Sequence, residues 1–220
     1  MTLENKEKQL SLLWQSIFDE DEAVTKLFFE NVYGICENPI IENNGEILSS
    51  AFLIPCEIGK YKGFYVYCAL TRSKHRGKGL MAKVLSYADE IRQKSDFDFL
   101  LLVPAEKSLF DYYGKFGYVP FGYNFQAQMP ENYTEVQAKY SSVRKFYGTE
   151  VNFPDCVVDF WAQATKHYGG KIIEADGNIC LLSEKLLDAK NGIKTNGVAM
   201  IKTDIEELKN TACYVGITLE

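Results

Sequence analysis

From Lys6 to Phe18 the apolar residues Leu10, Leu13, Trp14, Ile17 and Phe18 recur three or four apart. That spacing lays them along one stripe of a helix. A second helix is expected from Asp21 to about Tyr33, with Asp21 and Glu22 in its first turn, where the helix dipole favours carboxylates. The period then shortens. "PIIENNGEILSSAFLIP", Pro39 to Pro55, reads as strand, Asn-Asn-Gly turn and strand. "GFYVYCALT", Gly63 to Thr71, is a further strand, rich in aromatic and β-branched residues. From Leu80 to Ile91 the helical period returns through Leu80, Met81, Val84, Leu85, Ala88 and Ile91. "DFLLLVP", Asp98 to Pro104, is continuously apolar and predicts a strand buried on both faces. "SLFDYYGKFGYVPFGY" predicts a short helix ending near Gly114 to Gly117 and then a strand.

"MPENY", Met129 to Tyr133, is the best linker. It divides the chain into residues 1–128 and a smaller α+β part, residues 129–220. In the second part the pattern predicts helices from Thr134 to Tyr147 and from Pro154 to Tyr168, and a hairpin at "KIIEADGNICLLS". After "LLDAK" come a strand at "GVAMIKT", a short acidic helix and a last strand at "CYVGITL". "IIENNGEI" (Ile40 to Ile47) aligns with "IIEADGNI" (Ile172 to Ile179), each after a helix with adjacent aromatics, Phe28–Phe29 and Phe160–Trp161. Duplication explains this, and so does turn chemistry, because tight hairpins demand Asn, Asp and Gly whatever their origin. If the repeat is real, the second part is an incomplete copy of the first. Its strand "GVAMIKT" leads into the acidic "DIEELKN", which would repel a diphosphate.

The order strand, glycine-bearing loop, helix at "TRSKHRGKGLMAKVL" is the arrangement that holds anions. Glycine lets backbone bend sharply and approach a ligand, and the first amides of a helix have no partner inside it. Arg72, Lys74, His75, Arg76 and Lys78 bring positive charge to the same place. The phosphate-loop pattern GxxxxGK[ST] is missing, and Gly77 and Gly79 lack the third glycine of a dinucleotide fingerprint. Taken alone, the loop reads equally as a solvated basic turn.

Net charge matters here because the whole chain is acidic, at −6 over 220 residues. A general nucleic-acid binder is excluded, since phosphate backbones require a basic surface. The six cysteines show no CxxC pair and no metal-ligand spacing, so free buried thiols are expected and no metal site. The amino terminus mixes acids and bases without an apolar core, and no apolar run is long enough to cross a bilayer. A soluble, cytoplasmic protein with no membrane partner is the expectation.

Two motifs in order resemble the GCN5-related N-acetyltransferase (GNAT) family. The first is "RGKGLM": Arg76, two residues, Gly79, one residue, and Met81 where the family has a small residue. The second is "YGKFGY" after the buried strand: Tyr113, Lys115, Phe116, Gly117 and Tyr118. Together they cover about Gly63 to Tyr123, and weaker hairpin similarity reaches back to Ile40. The resemblance implies an α/β fold with a mixed, mostly antiparallel central sheet flanked by helices. It implies transfer of an acetyl group from acetyl-coenzyme A to an amine, here expected to be a small-molecule amine. The cofactor diphosphate would lie on the amides of Gly77, Lys78, Gly79, Leu80 and Met81, with Arg76 beside them. Its pantetheine arm would pair like an extra strand with Cys68, Ala69 and Leu70, and an N–H near Leu70 would meet the oxyanion. Tyr113 is the expected general acid, with Tyr112 the adjacent competitor. Glu106 stands where the family often has an Asn that bonds the arm, and an ionised carboxylate cannot donate. No general base stands out among Glu46, Glu106 and His75, and the two histidines, His75 and His167, make neither a triad nor a metal set.

Two other readings share these residues. A non-catalytic acyl-coenzyme A-binding module needs the loop and not Tyr113. A partner-binding protein needs neither, and would use the dense aromatics of "FDYYGKFGYVPFGY". On any of them one cofactor site per chain is the most that is expected, with the second part completing the core, covering the cleft or forming a homodimer contact.

Overall fold

The computed structural model describes residues 2–127, 132–144, 150–175, 178–182 and 192–215. The chain opens with α1 (Leu3–Phe18) and α2 (Glu22–Asn31). Each is started by a side-chain cap: the Thr2 hydroxyl accepts the Asn5 amide, and the Asp21 carboxylate accepts the Ala23 amide. A hairpin of β1 (Ile40–Asn43) and β2 (Glu46–Ile58) follows, its turn carrying Asn44 and Gly45 at positive φ. Next come β3 (Tyr61–Thr71), α3 (Leu80–Lys94), β4 (Phe99–Leu102), α4 (Ser108–Gly114) and β5 (Val119–Ala127). The remainder supplies β6 (Thr134–Glu135), α5 (Tyr140–Val143), β7 (Val151–Asn152), α6 (Asp155–His167), β8 (Lys171–Ala175), β9 (Asn178–Leu182), β10 (Gly192–Thr203) and α7 (Glu206–Lys209).

The main sheet runs β1-β2-β3-β4-β10-β5, with β7 also on β2. All its pairs are antiparallel except β3 with β4. The mixed, mostly antiparallel sheet is therefore as expected. β10 lies between β4 and β5, so residues beyond 128 supply an interior strand of the sheet that residues 1–127 begin. A small sheet, β6-β8-β9, stands apart.

The sheet buries both faces. One carries a large cluster that joins Leu10, Trp14 and Phe28 of the first helices to Phe52, Tyr65 and Tyr67 of the sheet and to Val158, Phe160 and Trp161 of α6. The other carries Val84, Leu85 and Ala88 of α3 and Tyr113 of α4 against Leu53, Phe64, Val66, Leu100 and Leu102. This is why β4 has no polar face: all four of its residues are buried.

The segment from Thr134 departs from the predicted long helix. Thr134 and Glu135 pair as β6 with Glu174 and Ile173 of β8, and among the described residues of that span only Tyr140–Val143 is helical. Ser141 explains the single turn, for both its amide and its hydroxyl bond the Asp159 carboxylate of α6 (2.9 and 2.8 Å). The apolar residues Val136, Tyr140 and Val143 pack on the core without a continuous helix, so their spacing is a poor guide here. The predicted linker falls mostly, and "LLDAK" wholly, outside the described residues, as does the end of the predicted last strand. Of that strand Tyr214 makes isolated bridges to Tyr123 and Glu150.

Candidate active site

The site forms where β3 loses its neighbour. β3 pairs with β4 only from Gly63 to Tyr65, opposite Phe99 to Leu101. From Val66 to Thr71 its β4 side carries no strand among the described residues. The two strands touch closely where they do pair: a Cβ on Gly63 would lie 2.5 Å from the Phe99 carbonyl oxygen. On the other edge the register with β2 slips between Ser50↔Leu70 and Phe52↔Tyr67. The extra residue is a β-bulge, and Cys68 takes a left-handed φ of 54° within it. As a result Tyr67 and Cys68, adjacent in sequence, both pack toward the α1/α2/α6 cluster.

Past Thr71 the chain makes one 3-10 turn, Ser73–His75, and enters the glycine loop. Gly77 and Gly79 both hold positive φ (73° and 72°), and a Cβ at either would meet open space. Gly79 begins α3 without a side-chain cap. The amides of Gly77, Lys78, Gly79, Leu80, Met81 and Ala82 find no partner among the described residues; the first helical bond runs from the Lys83 amide to the Gly79 carbonyl. They form a row of free donors at the positive end of a fifteen-residue helix.

The basic side chains divide in role. Arg72 is spent on the fold: its Nε donates to the Ile47 carbonyl at 2.6 Å and lies 3.1 Å from the Glu46 carboxylate. Arg76 Nε reaches the Thr71 carbonyl at 3.4 Å, bracing the loop. Lys74 and Lys78 are exposed and His75 is half-buried, and none has an ion-pair partner among the described residues. Of the residues weighed as bases, Glu46 is engaged by Arg72, and Glu106 accepts the Ser108 hydroxyl at the start of α4 (3.2 Å).

Tyr113 lies on α4 with its ring between those of Tyr112 (5.4 Å) and Tyr118 (5.9 Å). It is 8% exposed, and its hydroxyl has no hydrogen-bond partner among the described residues. Burial, and to a lesser degree Tyr112, pushes its phenol up to about 12. Such a phenol holds its proton throughout the neutral range, so it can give one and cannot act as a resting base. Met81, in place of the small residue, packs on the same cluster as Tyr113 and leaves the loop amides clear.

A family model for the GNAT acetyltransferase domain matches residues 2–121. The chain belongs to that family. Acyl transfer is therefore its chemistry, and acetyl-coenzyme A is the family's general donor. No curated protein matches the chain significantly in sequence. Solved structures show the same fold at low identity. A conserved Enterococcus faecalis protein, assigned as a probable N-acyltransferase, superposes with a TM-score of 0.64 at 12% identity over 92% of this chain and 71% of its own. A Pyrococcus horikoshii protein assigned as an acetyltransferase gives 0.62 at 12%, over 97% and 91%. A GCN5-related N-acetyltransferase of Anabaena variabilis gives 0.56 at 12%, over 89% of this chain and 57% of that one.

One group of this GNAT acetyltransferase escaped sequence reasoning. Glu20, Asp21, His167 and Tyr168 meet although they stand far apart in the sequence. Nothing local in the sequence signals that meeting. Among the described residues no helix is long and apolar enough to cross a membrane, and no group of His, Cys, Asp and Glu could hold a metal ion.

Proposed function

We propose that this protein is an acetyl-coenzyme A-dependent N-acetyltransferase acting on a small primary amine. The observation that carries the reading is the row of amides from Gly77 to Ala82, unpartnered among the described residues, beside the splayed edge of β3. The residues present fit the coenzyme: the cradle is open at both glycines, and Lys74 and Lys78 lie exposed nearby. The loop amides would hold the diphosphate, and Cys68, Ala69 and Leu70 would pair with the pantetheine arm. Bound there, acetyl-coenzyme A supplies an activated acetyl thioester.

The chain's own residues do the rest. Backbone N–H groups at the bulge, near Leu70, donate to the oxygen that gains charge as the amine nitrogen bonds the acetyl carbon. Tyr113 gives its proton to the sulfur as the carbon–sulfur bond breaks, so that a thiol leaves. The nitrogen loses its extra proton to water, and the Tyr113 phenolate takes one back from solvent. Amide and free thiol are the products, and the protein is unchanged.

Thiol release across an amine library, run beside Tyr113→Phe, tests this. The wild-type protein should release thiol, and the variant should lose roughly a hundredfold in kcat, within the usual range for a general acid. Coenzyme affinity should be nearly unchanged. Acetyl-coenzyme A at about a hundred times its Kd should raise stability by about 2.7 kcal/mol. An unchanged melting temperature would sink the reading. One observation favours the second reading, a non-catalytic acyl-coenzyme A-binding module: Tyr113 is 8% exposed, nearly enclosed by rings. A coenzyme-induced shift without thiol release on any amine would decide for it.

A further inference from the structure

The end of α4 joins two tyrosines. Gly117 takes a left-handed φ of 86°, and its amide donates to the Gly114 carbonyl at 3.1 Å. The Tyr118 amide reaches back to the Tyr113 carbonyl at 3.4 Å. These two bonds make a glycine-terminated helix end, in which the residue after the glycine packs on the residue whose carbonyl it bonds. The Tyr118 ring accordingly lies against that of Tyr113, with centroids 5.9 Å apart and planes at 62°. Both rings belong to the cluster that holds Val84, Leu85 and Ala88 of α3.

That turn accounts for an aromatic ring on Tyr118 and not for its hydroxyl. Tyr118 is 3% exposed, and its hydroxyl oxygen is buried without a hydrogen-bond partner among the described residues. Phenylalanine would fill the same space and leave no buried polar group unpaired. The charged groups nearby are already engaged. Ile201 pairs with Val119, so the next step in register sets Lys202 opposite Tyr118, and a Cβ on Gly117 would lie 3.7 Å from Lys202 Cε. Lys202 Nζ lies 2.8 Å from one oxygen of Asp89, and Arg92 Nε lies 2.7 Å from the other. Lysine and arginine are donors only and cannot take the Tyr118 proton. The remaining hydroxyl on this wall is that of Tyr113. Burial raises the Tyr118 phenol above its ordinary value; among the charges around it Tyr113 counts first and Asp89 next, while Arg92 opposes them.

At rest the two hydroxyls are not bonded to each other. Proton transfer changes what each can gain. When Tyr113 gives its proton to the sulfur, a phenolate is left in an apolar wall, where an uncompensated charge is most costly. A phenolate is also a far stronger acceptor than a neutral phenol. A bond made only as that charge develops stabilises the transition state and leaves the resting state alone.

We infer that Tyr118 donates its hydroxyl proton in a hydrogen bond to the Tyr113 oxygen as that oxygen becomes a phenolate, and so makes a deeply buried phenol a usable acid. This role rests on the acetyltransferase reading, with Tyr113 as the acid. Tyr118 keeps its proton throughout and acts through Tyr113, as a positioning residue.

Fluorine NMR on the full chain, with trifluorotyrosine in place of Tyr113, tests the bond without turnover. That phenol ionises at far lower pH than tyrosine, within reach of the folded protein. Tyr118→Phe should weaken its ionisation about tenfold, a midpoint higher by about one pH unit. The melting temperature of Tyr118→Phe should not fall, because only an unpaired hydroxyl is lost. In turnover, Tyr118→Phe should cut kcat about ten- to a hundredfold, near what one oxyanion donor supplies. KM for acetyl-coenzyme A should stay within about twofold. In the Tyr113→Phe background the same change should alter kcat by less than about twofold, because no phenolate forms there. A packing role would cost the same in both backgrounds. An equal ionisation midpoint with and without the Tyr118 hydroxyl, an unchanged kcat, an equal loss in both backgrounds or a marked fall in melting temperature overturns the role. A wild-type protein that releases no thiol fails the acetyl-transfer reading, and the NMR midpoints still decide for or against the bond.

Discussion

Asp89 shows how much a single carboxylate can organise. On α3 it takes Arg92 Nε at 2.7 Å and Lys202 Nζ of β10 at 2.8 Å, while Arg92 also donates to the Phe97 carbonyl at 3.2 Å. Burial raises its pKa, but the bonds and charges of Lys202 and Arg92 outweigh that and hold it below the ordinary value. A carboxylate lowered in the folded state adds stability above its unfolded pKa, about 4, and loses it as pH falls through the lower folded value. Asp89→Asn should therefore cost roughly 1–3 kcal/mol near neutral pH, the range for hydrogen bonds to charged groups. The gap from wild type should close as the pH falls through the lowered folded value of Asp89; urea unfolding near neutral pH and in acid measures it. A gap that does not change with pH would mean the pair adds no linked stability. Tyr113 makes the opposite case, a phenol raised to about 12 by burial. If it is the acid, kcat/KM should show no alkaline loss from its ionisation below that pH. A loss centred near 10 that vanishes in Tyr113→Phe would place the ionising phenol in water.

At the scale of elements, the loop and helix around Gly77 were legible because everything they need is adjacent in sequence. Glycines at the positive-φ positions, basic residues beside them and apolar residues at three and four all fall within Thr71 to Ile91. The role of Arg72 was not legible, because its partners, Glu46 and the Ile47 carbonyl, lie on another strand. Glycines therefore separate by their surroundings and not by their local sequence. Gly63→Ala would set a methyl 2.5 Å from the Phe99 carbonyl, and only separation of β3 from β4 relieves it. It should cost at least about 3 kcal/mol, beyond ordinary overpacking. Gly34→Ala meets nothing within 4 Å and needs no positive φ, so it should stay within about 0.5 kcal/mol of wild type. Gly77→Ala falls between them. Its methyl has space, so the cost is the left-handed backbone alone, about 1–2 kcal/mol. The methyl would stand in the amide cradle, so coenzyme affinity should drop at least about tenfold while the fold persists. Thermal melts of the three variants, with and without coenzyme A, separate these outcomes.

At the scale of the whole molecule, what the chain pattern could not disclose is who sits beside whom. "GVAMIKT" is readable as a strand, yet nothing in it says that Met200 pairs with both Leu102 and Pro120. The same holds for Glu20 and Tyr168, whose meeting depends on the packing of α2 against α6 through Phe28 and Phe160, rings 5.5 Å apart. Long-range pairings are set by the global core, in which every face must be covered, and a local period carries no address. The consequence is a prediction about truncation. A chain ending at residue 128 retains the glycine loop, Tyr113 and all of the region that matches the family model. It lacks β10, which separates β4 from β5, and α6, whose Phe160 and Trp161 close the core over Tyr65 and Tyr67. β5 would be left without the strand it pairs with, and β4 with an unpaired apolar edge. Such a fragment should be unfolded or aggregated and should bind no coenzyme, whereas the full chain should unfold in one cooperative transition by circular dichroism and by fluorescence of Trp14 and Trp161 alike, because both rings belong to one cluster. A soluble fragment 1–128 that still melts cooperatively and shifts with coenzyme A would show that the early strands close without β10.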